Sequence, residues 1–416
     1  MHVSVKPSPG APDREKRQRA GVDALISLAA QGPRTAQLRL TPLPAPRLPA
    51  DDSRWAPPGR AGSSRRSRLT ITVIVPAYNE AEGIRDTLDA LVRQTDRPDH
   101  VIVVDDCSTD GTGQVAREYG VDVLRPPQNL GSKARAQNYA LPCCTTDLVL
   151  PVDADTVIAD DYIERIKEPF RSRRVVIAAG NVQTRFARTV TERGRSIEYL
   201  YGFHFYRPIQ NKAGAPVVCS GCCSAFRRTV LVESGGFPER TIVEDFDWTA
   251  AQQIAGKKAV YVGGAEAWAA DPETPRFLCK QMNRWMSGFF QNMRIHFWRA
   301  WRRKPVLALW YTVAIAEMLM LPLWWASPVL WALVWHDPIV STLKWWLAIQ
   351  AAANLPVLMY AAARRRLNPL RVLMNFPFVY FNGAINSFYA WKGLIVELVL
   401  VPLGITRGLT VYEKGR

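Results

Sequence analysis

Cysteine is sparse in this 416-residue chain, and its number, seven, is odd. Cys219, Cys222 and Cys223 lie close together, but no second Cys pair and no His-rich stretch stands at zinc-ligand spacing. They read as small packing residues of a reduced compartment. A Gly-rich dinucleotide fingerprint is missing, and so is a phosphate loop closing on Gly-Lys-Ser/Thr. Those absences set aside the phosphate-loop route to a nucleotide. No apolar signal core opens the chain, since residues 24–30 are too short to be one. Aromatics are few in residues 1–68, which are rich in Pro and Arg. Such a segment cannot bury enough apolar surface to offset the entropy of ordering, and it is expected to be a disordered basic arm.

Charge is what the chain has in excess: Lys and Arg outnumber Asp and Glu by 16. A strongly basic chain suits nucleic acid, an anionic membrane face or acidic substrates. The basic arm has no interleaved aromatics and the C-terminal third is apolar, so membrane lipid is the expected partner and nucleic acid is not.

Order is expected from Leu69. Residues 69–75 form a continuous β-branched run that Pro76 should end, which reads as a buried parallel strand. Helical periodicity follows over 79–94, then a strand at Val101–Val104, a helix through Val115 and Ala116, and a short strand at Val121–Leu124. A helix start at Gly131–Ala140 carries Lys133 in its first turn, and Asp147–Val152 is another buried strand. Strands alternating with helices predict an α/β domain with a mainly parallel sheet, whose ligands bind beyond the carboxyl ends of the strands. Acidic residues fall at three such ends: Glu80, then Asp105 and Asp106, then Asp153 and Asp155. Asp153 and Asp155 flank one residue and point to the same side of an extended chain, which suits Mg²⁺ or Mn²⁺ that keeps waters and diphosphate oxygens as further ligands. Farther on, Glu244 and Asp245 form an acidic pair of the kind whose mutual repulsion raises a pKa and suits a general base. Arg284 offers a planar fork for phosphate, and Trp285 a flat face for a sugar ring.

Gly288–Arg303 sets Phe and Trp residues against Arg residues, the pattern of a helix lying in a membrane interface. Residues 306–335 are apolar but carry Pro322 and Pro328, which are expected to kink or break the span. Residues 339–362 are long enough to cross, and Arg364, Arg365 and Arg366 should be cytoplasmic. Residues 370–403 are apolar with Asn375, Asn382, Asn386, Lys392 and Glu397 interspersed, as in a third span, a hairpin or an interfacial helix. The expected layout is therefore an arm at 1–68, a cytosolic domain at 69–287, an interfacial helix at 288–304, a transmembrane region at 305–403 and a cytoplasmic tail at 404–416. A multi-pass plasma (inner) membrane protein with two to four crossings follows from it.

An ordered set of motifs resembles the membrane-embedded branch of the family-2 glycosyltransferases, which includes hyaluronan, chitin, cellulose and poly-N-acetylglucosamine synthases. The set comprises Val75 to Glu80, Val104 to Thr112, Asn129 to Ala134, Asp153-Ala154-Asp155, Ser220-Gly221 with Phe226-Arg227-Arg228, Gly235-Gly236-Phe237, Glu244-Asp245 and Gln281-x-x-Arg284-Trp285. The resemblance implies a GT-A fold over roughly residues 70–290 and an inverting, metal-dependent transfer from a nucleotide sugar, UDP-N-acetylglucosamine or UDP-glucose first. It implies that Pro76, Ala77, Tyr78 and Glu80 hold the base and ribose, that Asp106 accepts from the base, and that Lys133 and Asp153 contact the nucleotide. Asp153 and Asp155 would hold the metal, with Asp155 the direct ligand. Asp245, beside Glu244, would be the general base. Arg284 would bind the diphosphate, and Gln281, Trp285, Gly221 and Cys222 would line the acceptor site. The expected acceptor is a growing β-linked polysaccharide, with other export subunits as possible partners. A single transfer to a lipid or glycolipid is the alternative, and a membrane scaffold or export component is the non-enzyme alternative.

Overall fold

The computed structural model describes residues 69–409. The basic arm and the last seven residues of the expected tail lie outside them. In chain order the strands are β1 (Ile71–Ala77), β2 (His100–Asp105), β3 (Asp122–Leu124), β4 (Leu148–Pro151), β5 (Val157–Ile158), β6 (Val175–Thr184), β7 (Ser224–Arg227) and β8 (Lys258–Ala269). The helices flanking the sheet are α1 (Ile84–Val92), α2 (Thr112–Glu118), α3 (Lys133–Ala140), α4 (Tyr162–Lys167), α5 (Val190–Tyr201), α6 (Arg207–Lys212), α7 (Arg228–Glu233) and α8 (Glu244–Ile254). The C-terminal helices are α9 (Pro275–Arg303), α10 (Pro305–Trp335), α11 (Ile339–Arg364), α12 (Pro369–Asn375) and α13 (Phe378–Leu394).

The strands form one sheet in the order β3-β2-β1-β4-β7-β6-β8-β5. β1, β2, β3 and β4 pair in parallel, β7 is antiparallel to both β4 and β6, and β6 and β8 are again parallel. A single reversed strand thus separates two runs that point the same way. The carboxyl ends of β1, β2, β4, β6 and β8 all fall at one edge. Because β7 runs backwards, the residues leading into it reach that edge too, and the Asp153 N–H donates to the Cys222 carbonyl at 3.3 Å. The core beneath is aliphatic: Ile71, Val73, Val75, Leu88, Leu91, Val103, Leu148 and Leu150 are fully buried.

Pro76 does not end β1, which runs through it to Ala77. The Ile74 carbonyl accepts from Val152 on the β4 side, so Pro76, two residues on, faces its missing N–H to that side as well. The β1–β4 ladder ends at Ile74↔Pro151, and the absent donor falls where no partner strand remains. Helix α1 is shorter than the periodicity over 79–94 suggests, because residues 79–83 form a turn with Asn79 at φ 52°.

The expected interfacial helix at 288–304 is the second half of α9, which begins at Pro275. Its Phe290, Met293, His296 and Ala300 are buried against the α/β domain, while Trp298 and Trp301 are exposed. Among the described residues two helices, α10 and α11, are long and apolar enough to cross a membrane. Leu309, Leu323, Trp331, Leu333 and Val334 of α10 are exposed. Against expectation, α10 runs unbroken through Pro322 and Pro328. Each proline frees the carbonyl four residues before it, and each freed carbonyl has a side-chain donor. Trp391 Nε1 donates to the Met318 carbonyl at 2.9 Å, and Ser327 Oγ to the Trp324 carbonyl at 2.7 Å. The polar residues of 370–403 face α5 and α9. Asn382 Nδ2 donates to the Thr191 carbonyl (2.9 Å), Asn386 Nδ2 to Glu198 (2.9 Å), and Lys392 Nζ to Asn283 Oδ1 (3.0 Å). The interspersed asparagines of α13 therefore join it to α5.

The proline repair predicts a non-additive pair. Trp391→Phe leaves the Met318 carbonyl without its donor and should destabilise the fold by about 1 kcal/mol. In a Pro322→Ala background the backbone N–H restored at that position takes the carbonyl, and the same substitution should lose markedly less. Unfolding midpoints of the four proteins in detergent micelles decide this, and equal losses in both backgrounds would contradict it.

Candidate active site

One cleft of about 630 Å³ lies over the carboxyl edge of the sheet. Every site residue implied by the resemblance lines it, whereas Asp105, also at a strand end, is buried and paired with Arg125 outside it. Pro76, Ala77, Tyr78 and Glu80 come from the end of β1, Asp106 from the end of β2, Lys133 from α3, and Asp153 and Asp155 from the turn after β4. Gly221 and Cys222 precede β7, Glu244 and Asp245 open α8, and Gln281, Arg284 and Trp285 belong to α9.

Local chemistry fixes the end of the cleft beside β1 and β2. Asn79 Oδ1 accepts from the Thr109 N–H at 2.8 Å, and the Asn79 N–H donates to Ser108 Oγ at 3.0 Å. The Glu80 N–H donates to Thr112 Oγ1 at 2.8 Å. These bonds stitch the loop after β1 to the loop after β2, and they hold Asn79 and Cys107 in the left-handed region, at φ 52° and 63°. Asp106 Oδ1 accepts from the Leu130 N–H at 2.7 Å, and its carbonyl accepts from Asn129 Nδ2 at 2.9 Å. Burial raises the Asp106 carboxyl above its ordinary range, with Asp105 adding to the effect and the Leu130 N–H opposing it.

Ser132 caps α3 by accepting from the Arg135 N–H at 3.2 Å, which places Lys133 in the first turn. The Lys133 ammonium pairs with Asp153 and donates to the Gly221 carbonyl at 3.0 Å. Burial alone would lower its pKa, but Asp153 and Glu244 outweigh that, and the net shift is upward. Asp153 and Asp155 supply two hard carboxylates, and among the described residues no group of three or more His, Cys, Asp or Glu gathers as a metal site. That donor set fits a hard divalent cation taking its remaining oxygens from a diphosphate and water, and it does not fit a closed, all-protein cage.

Asp245 Oδ2 accepts from the Gly221 N–H at 2.6 Å, and Oδ1 from the Phe246 N–H at 2.7 Å. Gly221 has to be small: a Cβ there would lie 3.1 Å from Asp245 Oδ2 and 3.2 Å from its Cβ. Glu244 is buried, and burial together with Asp245 pushes its carboxyl up to about 7, against Lys133 and Arg284. Both acids sit in the first turn of α8, where the helix dipole favours negative charge. One turn on, buried Asp247 binds His296 Nε2 of α9 at 2.7 Å and Arg240 at 2.7 Å. That bond ties the acidic helix to the helix bearing Gln281, Arg284 and Trp285.

Several lining residues escaped the sequence reading. Asn129 was seen only as part of a motif. Asp271, just past β8, is a further acid beyond a strand end, and the Gly-containing run Val262–Ala265 within β8 hid that strand. Tyr199, Phe203 and Arg207 come from the α5–α6 segment, which passes through a π-helical turn at Gly202–Tyr206, and Met318 comes from α10. Cys219 and Cys223 are buried free thiols.

A sheet of this order, with the acidic turn after β4 facing a cleft at its carboxyl edge, is the GT-A fold of the nucleotide-diphospho-sugar transferases. The likeness is clear with a mannosyltransferase of Pyrobaculum calidifontis, PcManGT, solved in complex with GDP-Man and Mn²⁺. The TM-score is 0.53 over 80% of this chain and 88% of that one, at 24% identity, which shows the shared fold. Residues 72–235 match the sequence model of glycosyl transferase family 2, and this part of the chain is a family-2 glycosyltransferase domain. Among curated relatives, the poly-β-1,6-N-acetyl-D-glucosamine synthase of Staphylococcus aureus is 28% identical over 222 residues, covering 52% of this chain and 54% of the relative. The hyaluronan synthase of Streptococcus pyogenes is 28% identical over 270 residues, covering 60% and 64%. The chain thus spans between half and two thirds of the length of these relatives.

The Glu244 shift has a consequence for stability. Folded, its carboxyl holds a proton up to about 7, whereas the ordinary carboxyl value is 4.5. Between those values the folded chain binds more protons than the unfolded one, so stability from this group falls as pH rises from about 4.5 through about 7. Glu244→Gln should flatten that fall. Unfolding midpoints at pH 5 and pH 8 measure it, and an equal fall in both proteins would contradict it.

Proposed function

We propose that the chain is a membrane-bound, metal-dependent, inverting glycosyltransferase. It moves a sugar from a nucleotide sugar, UDP-N-acetylglucosamine or UDP-glucose first, to the end of a growing β-linked polysaccharide. The observation that carries this is the gathering, in one cleft, of Asp106, Lys133, Asp153, Asp155, Asp245 and Arg284 from elements up to 178 residues apart.

Pro76, Ala77, Tyr78 and Glu80 form a wall for the base and ribose, and Asp106 accepts a hydrogen bond from the base. Lys133 and Arg284 balance the charge of the diphosphate. Asp153 and Asp155 would hold Mg²⁺ or Mn²⁺, with Asp155 the direct ligand, as the resemblance to the family implies. The cation, when bound, neutralises charge developing on the leaving diphosphate. Gly221, Cys222, Gln281 and Trp285 position the acceptor. Asp245 takes the proton of the acceptor hydroxyl, held towards it by the Gly221 and Phe246 N–H groups. The hydroxyl oxygen bonds to the anomeric carbon as that carbon's bond to the diphosphate breaks. One displacement inverts the centre, so an α-linked donor gives a β-glycoside.

The named polysaccharide synthases among the relatives support polymer extension, and the exposed apolar faces of α10 and α11 support a membrane location. A single transfer to a lipid or glycolipid is the second reading. It is favoured by Met318 of α10, a candidate membrane helix, which lines the same cleft.

Nucleoside diphosphate release from membranes holding the chain, across UDP- and GDP-sugars with Mn²⁺ or Mg²⁺, tests the proposal. One donor should be turned over, and Asp245→Asn should lower its rate by about a hundredfold or more. Full activity in Asp245→Asn, or no release from any donor, would overturn it. Sizing the product separates a polymer from a single addition.

A further inference from the structure

Beside Trp285 the cleft has a second buried charged group that the reaction as described does not use. Asp271 lines the cleft between β8 and α9 and is 3% exposed. Arg195 of α5 is 4% exposed, and its Nε lies 3.6 Å from Asp271 Oδ1. The same guanidinium donates to Gln281 Oε1 at 2.9 Å, lies 5.1 Å over the Trp285 ring and pairs with Glu198 at 2.6 Å. Glu198 is held in turn by Asn386 of α13. Asp271 Oδ2 is buried with no hydrogen-bond partner, although the Thr184 and Tyr199 hydroxyls approach the carboxyl.

One guanidinium is shared between buried Asp271 and half-buried Glu198. Burial raises the carboxyl of Asp271 to about 7, against Arg195, and also raises that of Glu198. A buried carboxyl oxygen with no partner loses free energy that a ligand can restore. The surroundings select that ligand. A phosphate is repelled by Asp271, and a cation is repelled by Arg195, which already pairs with Asp271 and Glu198. A sugar fits: its C–H faces pack on Trp285 and Tyr199, and a hydroxyl can donate to Asp271 while Gln281 contacts a neighbour. β8 is four strand spacings from β1, about 19 Å at roughly 4.8 Å each. Asp271 therefore belongs to the end of the cleft remote from the base.

Building on the glycosyltransferase reading, we propose that Asp271 binds a hydroxyl of the acceptor sugar. Arg195 is the positioning residue that holds Asp271, Gln281 and Trp285 in one frame. Through Glu198 and Asn386 that frame is also braced by α13.

The test compares the wild type with Asp271→Asn, Asp271→Ala and Arg195→Lys. Donor and acceptor KM are measured separately, with a β-linked tetrasaccharide of the sugar that the wild type turns over as acceptor. Unfolding midpoints are recorded alongside. Both Asp271 variants should raise the acceptor KM by about tenfold to a hundredfold, the worth of a hydrogen bond to a charged group, with the donor KM within about twofold. Arg195→Lys keeps the charge but not the planar stack and the fork, and should raise the acceptor KM as well. Variants that lose kcat and unfolding midpoint with an unmoved acceptor KM would mark a purely structural acid and overturn the assignment. So would a donor KM rising in step with that of the acceptor. A wild type that turns over no donor would overturn the glycosyltransferase reading itself, and the Asp271 assignment with it.

Discussion

The cleft depends on the charge of Lys133. Asp106, Asp153, Asp155, Glu244, Asp245 and Asp271 all line it, and several are buried or half-buried. Carboxylates in a partly dry site are costly to ionise: burial raises the carboxyls of Glu244 and Asp271, and Asp245 adds to the rise of Glu244. Lys133 answers it from the centre, paired with Asp153, bound to the Gly221 carbonyl and close enough to Glu244 to lower its pKa. Arg284 and Arg195 act on the flanks. A site with this balance favours a ligand that arrives with its own cation.

The direction of the strands converts this chemistry into a site. Parallel strands on both sides of β7 send their carboxyl ends to one edge, so turns far apart in sequence face a common space. Reversal of β7 brings Gly221 and Cys222 to that edge, where the Gly221 N–H meets Asp245 and its carbonyl meets Lys133. The buried bond between Asp247 and His296 then sets α8 against α9. The acid pair and the Gln281–Trp285 segment are thereby held together in one cleft.

The first half of the sheet was legible because its strands are unbroken aliphatic runs that stop at acids. Ile71–Val75, Val101–Val104 and Leu148–Pro151 carry that signal plainly. The second half was not. β8 contains Gly263 and Gly264, β7 has four residues, and β6 passes into Asn181 and Gln183, so apolar periodicity fades where the fold still pairs strands. Asp271 went unread for that reason, since an acid at a strand end is visible only when the strand is. Arg195 could not be found at all, because its significance lies in touching Gln281 and Trp285, 86 and 90 residues away. The prolines misled in the other direction. Local rules end a strand at Pro76 and kink or break a helix at Pro322 and Pro328, but the end of a ladder, a tertiary donor to Met318 and a donor within the helix to Trp324 remove the penalty. The asparagines of α13, which left a third span, a hairpin and an interfacial helix all open, bind α5.

The central claim is that this cleft takes a nucleoside diphosphate together with a divalent cation held by Asp155. Calorimetric titration of the purified chain with UDP, with and without Mn²⁺, tests it most directly. The account predicts one site per chain, binding strengthened by Mn²⁺, and loss of that strengthening in Asp155→Asn. Binding indifferent to the cation, or equal strengthening in Asp155→Asn, would contradict it.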